Sequence, residues 1–224
     1  LNPEWTSEEW RESEQDVATL SNALHALGHP VEIVAVDDEY LMDRLSVYDP
    51  KDYIVFNWCE EIPGVRHSEP SVAAVMESMG FVFTGSSYNV LSLAHDKPKI
   101  KQILDEANIP TPYWKVFTTP DAGLWTFFPA IVKPAHEHCS IGISSDSIVT
   151  CPFELTNRIE FILETHHQPA LVEEFINGRE FLNAVWGNKN ISMLPTVEMD
   201  YGELTDLRDR VFTYEAKYVA GSRL

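Results

Sequence analysis

No apolar stretch in this chain approaches the length that crosses a bilayer, and its first residues show no signal-peptide pattern. Cysteine is scarce. Cys59, Cys139 and Cys151 form no C-x-x-C pair and no even framework, which excludes a disulfide-stapled scaffold and suits reduced thiols in a cytoplasm. Basic residues are few, 16 against 35 acidic ones, for a formal charge of −19. So acidic a surface excludes nucleic-acid binding through general phosphate contacts, but it leaves room for a local lysine pocket around one nucleotide. His136, His138 and Cys139 lie close in sequence. No second Cys/His group at a zinc spacing accompanies them, so the residues supply no metal-ligand set. What is present is 224 residues, 44% hydrophobic and 23% charged, ordinary for one large globular domain or two small ones.

Val17, Leu20, Leu24 and Leu27 recur at three- and four-residue steps, an amphipathic helix stopped by Gly28-His29-Pro30. Strands are expected at residues 31–36 (VEIVAV), 53–56 (YIVF) and 81–84 (FVFT), with a helix over SVAAVMESM. Strands alternating with helices imply a parallel α/β arrangement. Glu60 and Glu61 follow Asn57 at a strand end and read as loop carboxylates rather than catalytic ones. From Asp96-Lys97 to Asn108 the pattern predicts a helix whose buried face is Ile100, Ile103, Leu104 and Ala107. Lys97 falls near its start, where the helix dipole disfavours a cation and a phosphate would correct the misfit; exposed lysines there are also common. The strand YWKVF then opens a smaller central domain.

The chain is organised around residues 128–181. The apolar run of residues 127–132 ends in Lys133-Pro134 and reads as a buried strand. Lys133 at its end either snorkels to water or holds a point charge against an anion. A helix is predicted over residues 153–165. Asn177-Gly178 between two strand-like runs predicts a two-residue hairpin that opposes Ile176 to Arg179 and Phe175 to Glu180. Glu173, Phe175 and Glu180 would then share a face able to seat an adenine and hydrogen-bond its ribose; a solvated edge hairpin fits the same spacing. Residues 191–199 are strand-like, and YEAKY, residues 214–218, follows.

In order along the chain stand VFN, FTGSS, Asp96-Lys97, IPTP, VKP with a Ser-Ile-Gly loop, LVEEFINGREF, LPTVEM and YEAKY. In that order and spacing the chain resembles the D-alanine–D-alanine ligase family of ATP-grasp enzymes. The resemblance runs from Tyr53 to Ser222. It implies an ATP-grasp fold preceded by a parallel α/β domain: an N-terminal substrate-side domain over 1–87, a central subdomain over 88–176 and the start of a C-terminal subdomain over 177–224. It also implies a ligase that phosphorylates the carboxylate of one amino acid with ATP and joins the acylphosphate to the amine of a second, in peptidoglycan precursor synthesis.

Under the same resemblance Lys97 and Lys133 hold phosphates, Glu173 and the backbone of Glu174, Phe175 and Ile176 hold the adenine, and Glu180 the ribose. Cys139, Ser140, Ile141 and Gly142 lie in a loop over the phosphates. Lys217 and Tyr218 close a lid on the catalytic side, with Ser140. The cofactors implied are ATP and Mg²⁺, the partners small amino-acid substrates, with a homodimer possible. The family's strand before the first helix has no counterpart ahead of Leu1, and its metal ligands fall beyond residue 224, so truncation at both ends and an inactive fragment are expected. The family's Glu-Gly-Ser-Ser is here Glu137-His138-Cys139-Ser140, a stiffer loop in which Cys139 stands where relatives use a serine. That departure leaves open a ligase for another amino acid or carboxylate, or a nucleotide-binding homologue without catalysis.

Overall fold

The computed structural model describes residues 7–36, 40–59, 61–62, 64–123 and 125–218. Two compact units divide the chain, Leu1–Ser92 and Leu93–Leu224.

In the first unit, α1 (Ser7–Ala26) matches the expected amphipathic helix, with Val17, Leu20 and Leu24 half-buried along one side. α2 (Leu41–Leu45), β1 (Ile54–Val55), α3 (Glu69–Met79) and β2 (Val82–Phe83) follow, and α4 (Tyr88–Ala94) runs across the division. β1 and β2 pair in parallel, Ile54 opposite Val82, as the alternating pattern requires. Leu41, Leu45, Val72, Ala73, Met76 and Phe81 form the core beneath them. α3 stops at Gly80, whose φ of 80° is the left-handed cap that glycine adopts without penalty.

The strand expected at residues 31–36 is not found. Among the described residues that stretch joins no ladder, so its apolar alternation is not that of a paired strand. Among the described residues the parallel sheet of this unit is therefore two-stranded. Glu60 lies outside the described residues. Glu61 does structural service, accepting from the His67 amide at 2.8 Å.

The second unit begins with α5 (Lys97–Glu106), capped by the Asp96 carboxylate, which accepts from the Lys99 amide at 3.0 Å. β3 (Trp114–Phe117), β4 (Ala130–Pro134), β5 (Ile148–Val149) and β6 (Ala170–Glu174) make an antiparallel sheet in the order β3-β6-β4-β5. α6 (Pro152–Thr165) lays Leu155, Ile159 and Ile162 on one sheet face, against Ala130, Val132, Ala170 and Val172. Because side chains alternate along a strand, Ile131, Lys133, Leu171 and Glu173 take the other face. β7 (Glu180–Leu182) pairs with β10 (Val197–Met199), and β8 (Val185–Trp186) with β9 (Ser192–Met193); α7 (Tyr214–Tyr218) is the last element among the described residues.

The hairpin expected at Asn177-Gly178 does not form. β6 is flanked by β3 and β4, so both of its edges are taken before β7 could join. β7 pairs elsewhere, Glu180 opposite Met199, and residues 175–179 pass from one sheet to the next. The face that was to unite Glu173, Phe175 and Glu180 is dissolved with the hairpin.

Candidate functional site

Register builds the site. Across β4 and β6, Ile131 faces Glu173 and Lys133 faces Leu171, so Lys133 and Glu173 are diagonal neighbours on the face away from α6. Glu173 is 4% exposed, and its carboxylate is ion-paired with both Lys133 and Lys101. Burial alone would push the Glu173 carboxyl up; Lys133 and Lys101 outweigh it and hold the group below the usual carboxylate range. Lys101 is the buried residue of α5 and also donates to Thr111 Oγ1. The predicted apolar face of that helix is corrected here: Ile103 and Ala107 are exposed, Ile100 and Leu104 half-buried. Periodicity alone cannot anticipate a buried lysine whose counter-charge sits on a distant strand.

Lys97 joins from the first turn of α5. Its ammonium donates to Pro134 O at 3.1 Å and to Glu137 O, bridging the end of β4 to the loop that follows. Burial first, and the Lys133 charge second, lower its pKa from 10.5 to about 8. Three ammonium groups, Lys97, Lys101 and Lys133, around two buried carboxylates, Glu173 and Glu137, leave a surplus of positive charge in a strongly acidic chain.

The loop of residues 136–142 is held rather than loose. Gln168 accepts from the His136 amide at 2.6 Å and donates to the buried Glu137 carboxylate at 2.9 Å. Ser140 Oγ donates to Phe212 O at 2.8 Å, so the segment ahead of α7 is tied to this loop. Cys139 (φ 51°), Ser140 (φ 60°) and Gly142 (φ 72°) take left-handed backbone, and Ile141 donates its amide to His138 O at 3.0 Å. His138, which stands where the family has glycine, is not one of the left-handed residues; the strain falls on Cys139 and Ser140 instead. The exposed Cys139 Sγ lies 3.1 Å from His138 Nδ1.

Phe175, Ile176 and Glu180 meet again in a cleft of about 660 Å³, lined further by Pro110, Pro112 and Tyr201. Tyr201 donates to Glu180 Oε2 at 2.8 Å, and burial with this contact raises the phenol's pKa. The amides of Glu174 and Phe175 donate to Tyr113 O and Pro129 O at 2.9 Å each, so the fold itself consumes two groups expected to face a base. Lys217 lies 5.1 Å over the Phe212 ring. Tyr218 ends α7, and its side chain lies outside the described residues.

The sequence reading missed Lys101, Gln168, Tyr201 and Arg158. Of these only Arg158 left a trace, a charged residue on the apolar stripe Leu155, Ile159, Ile162 of α6.

The family model of the D-ala D-ala ligase C-terminus matches residues 103–223, which include β3 to α7 and the strands that carry Lys133 and Glu173. The chain belongs to that family. It is 34% identical over 209 residues to an uncharacterized protein of Sinorhizobium fredii, covering 88% of this chain and 59% of that one. It is 28% identical to the D-alanine–D-alanine ligase of Aquifex aeolicus, over 94% of this chain and 69% of that enzyme. In three dimensions it is similar to the VanG D-Ala:D-Ser ligase of Enterococcus faecalis, with a TM-score of 0.50 and 26% identity over 58% of this chain and 38% of that one. The sheet and loop described above are thus an ATP-grasp-like α/β fold. The two-stranded sheet of β1 and β2 is what the first unit contributes to the parallel domain expected before it. Among the described residues no helix is long and apolar enough to cross a membrane.

Proposed function

We propose that this family member is an ATP-dependent ligase that joins two amino acids, as the name D-alanine–D-alanine ligase says of its relatives, and that it does so through an acylphosphate, in peptidoglycan precursor synthesis in the cytoplasm. The observation that carries the reading is the half-buried ammonium pair Lys97 and Lys133, beside the tied-down loop of residues 136–142. Bound ATP supplies the phosphoryl group that activates a carboxylate. Lys97 and Lys133 offset the phosphate charge, and the loop's backbone closes on it. The cleft at Phe175, Ile176 and Glu180 suits the nucleoside end, with apolar walls for a base and a carboxylate for hydroxyls. The nucleotide then sits between segments 88–176 and 177–224, with Lys217, Tyr218 and Ser140 on the amino-acid side.

Glu173 enters this reading with a changed role. Its carboxylate orients Lys101 and Lys133 instead of meeting the base directly. Mg²⁺ belongs to the proposal through the phosphate chemistry. Glu137 and Glu173 do not fit as its ligands, being engaged by Gln168 and by two lysines. A second reading, a ligase for a different amino acid, is favoured by Cys139 standing at the serine position of the loop.

Phosphate release from ATP, followed in the full-length protein against a panel of D- and L-amino acids, is the test. Release that depends on a D-amino acid pair supports the first reading, and release with other partners the second. Hydrolysis indifferent to every amino acid, or none with any, sinks both.

A further inference from the structure

The loop of residues 136–142 is anchored at its far end by a side chain the proposed function does not use. Arg158 projects from α6 into the core, 9% exposed, and its Nη2 donates to Gly142 O at 2.7 Å and Ser147 Oγ at 2.9 Å. Ser147 Oγ in turn accepts from the Ser144 amide at 3.1 Å. The guanidinium lies 4.5 Å over the Phe161 ring, and its Nε is buried without an acceptor. A buried cation with no carboxylate bonded to it is expensive, and an aliphatic residue would fill the stripe between Leu155 and Ile162 more cheaply. Its two acceptors are both in the segment that closes the loop. Gly142 is itself pinned: a Cβ there would come within 2.7 Å of Pro134 Cγ and 2.8 Å of His166 Nε2.

We propose that Arg158 is a positioning residue that holds the Gly142 carbonyl from within the core and so sets the path of residues 138–141. With Gln168 fixing residues 136 and 137, the intervening span has both ends clamped, and the ordering it undergoes on meeting a phosphate is largely done in advance. The ligand rests on the nucleotide reading above; the clamp does not.

Hydrogen exchange at the amides of Ile141 and Ile143, which donate to His138 O at 3.0 Å and Ser140 O at 2.9 Å, tests the clamp without nucleotide. Arg158→Met is compared with Arg158→Lys, which keeps one donor, and with Leu155→Ala, which weakens the same helix without touching the loop. Arg158→Met is expected to speed exchange at both amides roughly tenfold, the order of a lost charged hydrogen bond, with Arg158→Lys between it and the wild type. ADP affinity by calorimetry should fall in the same rank order and stay unchanged in Leu155→Ala. Equal exchange in Arg158→Met and Leu155→Ala at matched stability overturns the proposal. Should Arg158→Met fail to fold, wild-type exchange in Arg158→Lys does the same. A wild type that binds no ADP overturns the nucleotide reading instead and leaves the exchange result to decide the clamp.

Discussion

Lys133 and Glu173 are ion-paired diagonally across the β4–β6 ladder, and Lys101 reaches the same carboxylate from α5. One buried negative charge thus aligns two ammonium groups on the sheet face opposite α6. The relationship ties strand register to electrostatics. Slipping β6 by one residue would send Glu173 into the α6 core.

Replacing Glu173 with Gln leaves the buried Lys101 and the half-buried Lys133 without their counter-charge. We expect a loss of about 3 kcal/mol in urea unfolding at neutral pH, within the range for breaking a buried pair. The Glu173 carboxyl is held below its ordinary range, so its contribution is present above the unfolded value and lost as pH falls through the folded one. The gap between wild type and variant should therefore close in acid. Identical urea midpoints at pH 7 would show that the triad contributes nothing.

Lys133→Ala should weaken ADP roughly tenfold or more, the scale of one charge-assisted contact. Calorimetry reads it directly, and unchanged affinity removes Lys133 from the phosphate site.

Lys97 makes nucleotide binding sensitive to pH. Its folded pKa is about 8 against 10.5 for the free group. Above about 8 the unliganded protein loses the ammonium that a phosphate needs, so ADP affinity should fall as pH rises from 7 to 9, and Lys97→Met should flatten the profile. Stability moves the other way. Between the folded and unfolded values the unfolded chain binds more protons, so the wild type gains stability relative to Lys97→Met as pH rises through that window. A pH-independent difference between the two proteins, in affinity and in stability alike, refutes the assignment.

Gly142→Ala meets two obstacles at once, a φ of 72° and a Cβ 2.7 Å from Pro134 Cγ. Thermal unfolding should report a loss of about 2 kcal/mol or more, since backbone strain and a core clash add. A variant as stable as the wild type would mean that the loop relocates freely.

Cys139→Ser should leave ADP affinity nearly unchanged and raise turnover with D-alanine. The hydroxyl is the better hydrogen-bond partner, and the prediction takes the side chain at 139, like that of Ser140, to act on the amino acid rather than on the phosphates. Kinetics identical across the amino-acid panel would make the cysteine neutral. Lower activity with a different amino acid would identify the second reading as correct.

Local signals in the sequence were enough for the elements that depend on neighbours along the chain. The periodicity of α1, the helix over residues 153–165, the helix that opens at Asp96-Lys97 and the helix ahead of Gly80 follow from residues a few positions apart, and the parallel pairing of β1 with β2 follows from the alternation of helices and strands. The lysines at 97 and 133 were likewise legible, because a cation at a helix start or a strand end is conspicuous before any partner is known.

What the sequence could not decide is pairing between distant segments. Asn177-Gly178 carries a strong turn signal, yet β6 already has a strand on each side, so the chain crosses to another sheet and Glu180 parts company with Glu173. Residues 31–36 alternate like a strand and find no ladder among the described residues. The apolar residues of α5 lose the buried position to Lys101, because an ammonium can be buried when a carboxylate on another strand meets it. Arg158 and Gln168 hold a loop lying 16 and 31 positions away, through side-chain hydrogen bonds that leave no periodic mark. Strand availability and charge pairing are properties of the assembled sheet, and only the tertiary structure assigns them.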